Sequence, residues 1–465
     1  MSEEIKSKRK SGWHRLLHPK FAVPVVLLLV LIAAPFLYRS YRLSLISDPG
    51  EPFDVEAFIA EHTVPDEENA LVPFRNAISL LKGTIPAQEI SDTSDSLWKG
   101  TPTDKNTQIA LDYVKDNELA LQNWEKASHM AYLAEEQPSK INFLSFRESI
   151  FDTKYMARMV VIRAWIAAEN GNDTEAAEWI LCNRRTSRLV ELNSNANSRI
   201  VGYLINYWTN KLMVKWLAQQ KVSQVNLEQF LCDVKSIHEM VPPISDYFKM
   251  QYLIQLNSEK LLLENRNPPL APTLSSSIMP WKLYFQGEPE LLYRFYGHCI
   301  VNNLRFIDKP KFQRPKISFS KSGRQYVFET PVGSSLPPSQ LTPAQIEDAS
   351  QFSPLFNAHY DIESILNTFD LELMSHRLIE TAIQLEIYRK ANGEFPAKFD
   401  NLFDSPNEFP IDNFESTGAS LKYVKEGSGH YRLWSVGQDG IDSGGVELSL
   451  SSETADFGIE MIRKP

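Results

Sequence analysis

An uninterrupted apolar run, FAVPVVLLLVLIAAPFLY from Phe21 to Tyr38, constrains this chain more than any other feature. Its 18 residues rise about 27 Å as a helix, close to the hydrocarbon thickness of a bilayer. A helix of a soluble core would carry a polar face, and this run holds no charge. Pro24 lies in the first turn, where a missing N–H does least harm, and Pro35 near the far end is placed to kink the helix. Lys6, Lys8, Arg9, Lys10, Arg15 and Lys20 precede the run, whereas Arg39 and Arg42 alone follow it closely. That bias puts the N-terminus in the cytoplasm and the bulk of the chain across the membrane. A cleaved signal peptide is the competing reading. Against it, Pro35 directly follows Ala33 and Ala34, no A-x-A pattern closes the run, and the run exceeds a usual h-region. The expectation is a single-pass protein of the cytoplasmic membrane, partnered by the bilayer through this helix.

The body behind the anchor is acidic. Net charge over the 465 residues is −10, yet residues 1–38 carry six basic side chains against two acidic ones. The remainder therefore carries 42 Lys and Arg against 56 Asp and Glu. Such a body disfavours non-specific contact with nucleic acid. Lys309, Lys311, Arg314, Lys316, Lys321 and Arg324 alternate with aromatics, a pattern that serves RNA or DNA elsewhere. Here the acidic body and the compartment favour a solvated irregular or edge-strand segment, with no nucleic-acid partner. The three cysteines, Cys182, Cys232 and Cys299, are far apart and form no CxxC pair, so a Cys-rich zinc site is not expected and an extensive disulfide framework is excluded. They are expected as free, buried, small apolar residues.

The chain divides by pattern into a basic tail (1–20), the span (21–38), an α-helical region (39–264), an irregular Pro-rich connector with one helix (265–345) and an α+β C-terminal region (346–465). Asp66 is positioned to cap a helix presenting Ala70, Leu71, Phe74, Ala77, Ile78 and Leu81 on one side. Residues 83–104, rich in Gly, Ser, Thr, Asp and Pro, read as a loop. Residues 105–264 hold successive helical patterns joined by short breaks, expected to pack as hairpins or a small solenoid. Val201, Leu204, Ile205, Trp208, Leu212 and Trp216 form one helical stripe. ENGNDTEAAEW resembles the turn of a tetratricopeptide hairpin, with Gly171 in the turn and Ala164 facing Ala176, although no second copy follows at the 34-residue period. The fold class is mainly α, closed by a small α+β cap.

In that cap, DIESILNTFDLELMSHRLIETAIQLEIYRKANG reads as one long helix ending at Asn392-Gly393, with Pro396 blocking continuation. LKYV and HYRLWSVG flank a Gly-rich turn and read as a hairpin. AIQLEIYRKANGEFPAKFDNLF, PIDNF and LKYVKEGSGHYRLWSVGQDGIDSGG together resemble the C-terminal part of the major pseudopilins of type II secretion, over about residues 371–445. The resemblance implies a calcium-binding loop, carried over here to Asp439 and Asp442, with Ser443 and backbone carbonyls as further oxygens. The plain alternative is a Gly/Asp turn. KFAVPVVLLLVL lacks the prepilin processing motif, so polymerisation as a pilin is not expected. The whole arrangement, with its PDEENA and EPELLYRFYGHCIVNNL segments, resembles single-span membrane proteins of planctomycete-type bacteria, a resemblance that implies no particular activity.

No complete catalytic constellation is present. GxSxG, HExxH, the P-loop and the dinucleotide-binding glycine fingerprint are absent. Ser96-x-x-Lys99, Ser318-x-x-Lys321 and Lys321-Ser322-Gly323 match fragments of penicillin-binding signatures, but Ser405-Pro406-Asn407 follows the last of these when it should precede it. Glu372, His376 and Glu380 share one helical face at four-residue spacing, which is not the Glu-x-x-His spacing of bundle di-metal sites. They are expected as a surface ion-pair face. The function expected from these features is a membrane-anchored extracytoplasmic interaction or assembly protein with a protein partner. The alternative is an extracytoplasmic hydrolase whose site residues meet only in the fold.

Overall fold

The computed structural model describes residues 19–463 except 84–85, 100–103, 143–144, 146–148, 193–195, 265–279, 289, 315–316, 320–324, 328–361, 404, 446–449 and 451–455. It is mainly helical, with one apolar N-terminal helix and a small antiparallel sheet near the C-terminus. The first helix, α1 (Pro19–Ser44), contains both Pro24 and Pro35. Within it Ala22–Ser44 is long and apolar enough to cross a membrane, and its apolar side chains from Val23 to Ile32 are exposed. These properties suit a membrane span and a signal sequence alike. Its far end is docked on the body: Arg42 is buried, and its Nε donates to the Gln286 carbonyl at 3.2 Å.

Short helices α2 (Val55–His62) and α3 (Leu71–Ser79) follow. Leu71, Phe74 and Ala77 are buried as their spacing predicts, but Asp66 does not cap α3. It opens a separate 3-10 turn, Asp66–Glu68, and Asn69 Oδ1 accepts from the Leu71 N–H instead. Residues 87–99 depart from the loop expectation and form α4 (Ala87–Lys99). Ile90 and Leu97 lie seven residues apart on one buried face, with Thr93 and Ser94 small enough to sit between them. The hydroxyls of Ser94 and Ser96 donate to carbonyls three residues back, so residues that favour turns by composition are satisfied inside the helix.

Next come α5 (Asp104–Asp116), α6 (Glu118–Ser128), α7 (Ser149–Glu169), α8 (Asp173–Glu191), α9 (Ala196–Gln219), α10 (Gln224–Glu239) and α11 (Ile244–Glu264). Helices α7, α8 and α9 pack as consecutive hairpins. Gly171 takes φ +77 in the first turn. Its N–H bonds the Ala168 carbonyl while Asn172 N–H bonds that of Ala167, the paired closure that ends a helix on a left-handed residue. Ala164 and Ala176 are both buried on either side. The Trp208 and Trp216 stripe of α9 is buried as expected.

Beyond residue 279 the single expected helix is two, α12 (Pro280–Phe285) and α13 (Glu290–Leu304), followed by a short hairpin of β1 (Ile317–Phe319) and β2 (Gln325–Val327). The long α14 (Ile362–Asn392) then crosses the body and touches α9, α10 and the sheet. It ends where Gly393 takes φ +84, as Asn392-Gly393 predicts. Strands β3 (Lys422–Gly427), β4 (His430–Ser435) and β5 (Phe457–Ile462) form an antiparallel sheet in that order. β3 and β4 are the expected hairpin, whereas β5 adds a strand that the patterning does not announce. Tyr431, Leu433, Phe457, Ile459 and Met461 point from β4 and β5 into a core that also contains residues of α3 to α10 and α14.

Candidate functional site

The centre of this core is not apolar. On α8, Asn183, Arg184, Ser187, Arg188 and Glu191 recur at helical spacing and are buried. On α9 the same holds for Arg199, Asn206, Thr209 and Asn210, and on α14 for Glu372, Ser375 and His376. The three polar stripes meet. Arg188 Nη1 donates to both Glu191 Oε2 and Glu372 Oε1. Arg199 approaches the same two carboxylates at 3.4 and 3.5 Å. Asn206 Nδ2 donates to Glu372 Oε1 at 3.2 Å. Arg184 donates to Asn210 Oδ1 at 2.7 Å and to His376 Nδ1 at 2.8 Å, and Asn210 Nδ2 donates to Ser375 Oγ at 2.7 Å.

The surface ion-pair reading is therefore corrected for Glu372 and His376, while Glu380 stays partly exposed beside His376. Glu372 is 5% and His376 2% exposed, because α14 is covered on that face by α8, α9 and α10. Their four-residue spacing shows that they share a face and is silent on what covers it. Arg184, Arg188 and Arg199 are the residues that patterning missed. The signal available was the recurrence of 184, 188 and 191, a helical period carried by charged residues within NRRTSRLVE.

Burial dominates the electrostatics. It lowers the His376 basicity well below the usual imidazole range, and Arg184 beside it adds to the effect. It also lowers His238, to about 2, with His376 and Arg188 as further causes. His376 accepts on Nδ1, so its proton sits on Nε2, which lies 2.8 Å from Glu380 Oε1 but off the hydrogen-bond angle. Burial pushes Glu191 up, against Arg188. For Glu372 burial is outweighed by Arg188 and Arg199 together, which hold it below the usual carboxylate range. Arg184 is lowered to about 9 by burial and then by Arg188. Three guanidinium groups thus face two carboxylates in the fully buried part of the cluster. Ion pairs of this kind rarely repay their desolvation, and such perturbed groups beside a cleft mark a functional-site candidate.

A cleft of about 440 Å³ opens beside the cluster. Its floor is Arg199, Phe369, Asp370 and Glu372; its rim is Glu239, Pro243, Asp308 and Lys309. The Arg199 guanidinium lies over the Phe369 ring, 4.4 Å from its centroid. Its Nε is buried without a hydrogen-bond partner, as is His238 Nδ1, while its Nη1 faces Glu191 Oε2 at 3.4 Å. The cleft carboxylates are engaged: Asp370 accepts from Arg314 at 2.8 Å and from Asn413 at 3.4 Å, and Asp308 accepts from the Ser245 N–H at 2.9 Å. Arg377 donates to Asn413 Oδ1 at 3.1 Å and to the Ile411 carbonyl. In the buried part of the cleft the spare capacity is on donors, Arg199 Nε and His238 Nδ1, which suits a ligand group that accepts hydrogen bonds. Ser375 Oγ is held by Asn210 and His376 Nδ1 by Arg184, so these neighbours are not paired as nucleophile and base.

Asp439 and Asp442 lie apart from the cleft, in the turn after β4. Asp439 Oδ1 accepts from the Ile441 N–H at 3.0 Å. Asp442 Oδ1 accepts from the Trp434 indole at 3.0 Å and the Gly444 N–H at 2.9 Å. Asp456 closes the loop by accepting from the Ser443 and Gly445 N–H groups. One oxygen on each expected ligand is thus committed to N–H donors. Calcium seeks six to eight oxygens, so a cation here would draw on the remaining carboxylate oxygens and on loop carbonyls.

On the sheet, Glu426, His430 and Glu460 place ligand atoms within 4.8 Å of one another. His430 Nδ1 faces Glu426 at 3.2 Å, its Nε2 faces Glu460 at 3.0 Å, and Arg432 takes Glu426 Oε1 at 2.6 Å. That arrangement is a chain of polar contacts on the sheet surface. Ser96 lies on α4 with its hydroxyl on the Thr93 carbonyl, while Ser318-x-x-Lys321 and Lys321-Ser322-Gly323 extend outside the described residues. Cys182 is buried and Cys232 exposed, both with free thiols. No protein-family model, curated protein or solved structure matches the chain.

Proposed function

We propose that this chain is a membrane-anchored extracytoplasmic interaction protein that recognises a hydrogen-bond-accepting, anionic group of a partner protein in the cleft beside Arg199. The observation that carries the reading is the Arg199 guanidinium, 4% exposed at the floor of the cleft, whose buried Nε lacks a hydrogen-bond partner while the neighbouring Asp370 and Asp308 are already engaged. A buried donor left unmet costs about 1–3 kcal/mol, and a ligand oxygen would recover part of that. The volume lies in the range of pockets that hold one side chain or a small molecule. The exposed apolar helix and the basic residues before it support anchoring with the body outside the cytoplasm.

Two measurements test the reading. A reporter active only outside the cytoplasm should be active when fused after Pro465 and silent when fused before Trp13; the reverse pattern overturns the orientation. A pull-down from detergent-solubilised membranes should recover a partner with the parent chain and lose it with Arg377→Glu, which places a carboxylate on the cleft wall. Equal recovery by both chains takes recognition away from the cleft.

A further inference from the structure

We propose that α12 is a second membrane-contact element, a short interfacial helix whose Trp281 and Tyr284 sit at the phospholipid headgroup level beside Tyr38 and Tyr41 of α1. The inference rests on α1 spanning a bilayer. Three contacts fix α12 against the end of that span. The Phe36 and Phe285 rings meet edge to face, with centroids 5.3 Å apart. Arg39 Nη1 donates to the Tyr284 carbonyl, and the same guanidinium lies 4.1 Å over the Tyr284 ring. Glu290, at the start of α13, pairs with Arg39 at 3.2 Å.

These contacts set a depth. Phe36 is two residues before Tyr38, the last residue of the apolar run, so it lies about 3 Å inside the end of the hydrocarbon-spanning segment. A helix held against Phe36 and Arg39 is held at the boundary between acyl chains and headgroups. The side chains exposed there have the composition of that boundary. Trp281 is 56%, Tyr284 47%, Tyr38 48% and Tyr41 60% exposed. Trp and Tyr concentrate at membrane interfaces because each joins an apolar ring to a polar tip. Lys282 is exposed between Trp281 and Tyr284, and a cation at this level suits anionic headgroups. Four exposed aromatic rings around one helix end would be an unusual apolar patch in water. At a bilayer surface they are the side chains expected.

The test uses the full chain in liposomes of phosphatidylcholine and phosphatidylglycerol brominated either high or low on the acyl chains. Tryptophan emission is compared between the parent and Trp281→Phe, a substitution at an exposed position whose fold is checked by circular dichroism. The expected result is a quenched component in the parent, stronger with shallow than with deep bromine, that is reduced in Trp281→Phe, with Trp13 near the other end of the span supplying the remainder. Equal quenching of the two chains in liposomes that carry the protein overturns the proposal and leaves the anchor standing. A chain that fails to float with the liposomes overturns both.

Discussion

The imidazole rings of His238 and His376 are stacked, with centroids 3.3 Å apart and planes 16° apart. One sits near the end of α10 and the other in the middle of α14, so the stack ties two helices that are distant in sequence. Two imidazolium rings at that separation would repel strongly, and Arg184, Arg188 and Arg377 add positive charge around them. Glu372 and Glu380 are the opposing charges, and burial outweighs them. Both rings are therefore neutral in the folded chain.

Acid should unfold this protein earlier than its carboxylates alone would. Both histidines have folded basicities below the ordinary value of 6.5. As pH falls below that value the unfolded chain takes two protons that the folded chain refuses, so stability falls with pH. Each such group contributes a slope of up to about 1.4 kcal/mol per pH unit. Glu191, raised by burial, acts in the opposite sense down to its ordinary range near 4.5 and offsets one of the two. Glu380, Asp370 and Asp412, also raised by burial, act in the same sense as Glu191 nearer their ordinary carboxylate range, so the net expectation is a fall in stability between about pH 6.5 and 5. Urea midpoints followed across that interval should fall, and His238→Phe, which keeps a stacked ring without a proton site, should flatten the dependence. A pH-independent midpoint in the parent would show that the rings titrate normally.

Glu372 holds the cluster together from α14. Replacing it with alanine leaves Arg188, Arg199 and Asn206 facing a gap in a buried site. The expected cost is about 3–5 kcal/mol, the range for removing one partner of a buried pair. Glu372→Gln should cost less, because Asn206 and the guanidiniums retain an acceptor. Denaturant titration of the detergent-solubilised chain measures both, and equal midpoints for parent and Glu372→Ala would mean that water reaches the cluster.

Gly202 should not tolerate a methyl group. A Cβ built there would stand 2.3 Å from Glu191 Cγ, and the Ser187 hydroxyl sits 2.8 Å from the Gly202 carbonyl. Gly202→Ala is expected to lose about 1–3 kcal/mol by overpacking. Combining it with Glu191→Ala should restore part of that loss, since the clash and the removed side chain share one space. Additive losses in the double variant would place the clash elsewhere.

Asp442 should stabilise the loop after β4 with or without an ion, because it accepts from Trp434 and Gly444. Asp442→Ala is expected to lower stability by about 1 kcal/mol through those lost bonds. Calcium is tested in the same melts. If Asp439 and Asp442 hold it, millimolar calcium raises the melting temperature of the parent over chelator and leaves the Asp439→Ala, Asp442→Ala double variant unmoved. Identical melts of the parent in calcium and chelator would make the loop a hydrogen-bonded turn alone.

What patterning could reach was local. The end of α14 was legible because Asn392, Gly393 and Pro396 each act on their own backbone. The β3–β4 hairpin was legible from its alternation and its Gly-rich turn, and the Trp208–Trp216 stripe from its period. α4 was not, because its Ser and Thr side chains read as turn formers until Arg158 on α7 is seen bonding the Ser91 carbonyl and Asp95. The cluster was the hardest part. Ionisable residues at positions 184, 188, 372 and 376 show the same spacing on a wet face as in a core. What decides between the two is the arrival of a neighbour from 184 residues away, as in the Arg188–Glu372 contact. The cleft was invisible for the same reason, since its floor is assembled from α9 and α14 and its rim from the loops near residues 240 and 308.

The span of that Arg188–Glu372 contact sets an order of events during synthesis. Helices α8 and α9 leave the ribosome well before α14 exists. Through that interval Arg188 has Glu191 for company, and the polar stripes destined for the interior remain open to water and to any stray acid that passes. The sheet that closes the core is later still. The hairpins of α7, α8 and α9 can therefore pack early, but their buried polar face is completed only when α14 arrives.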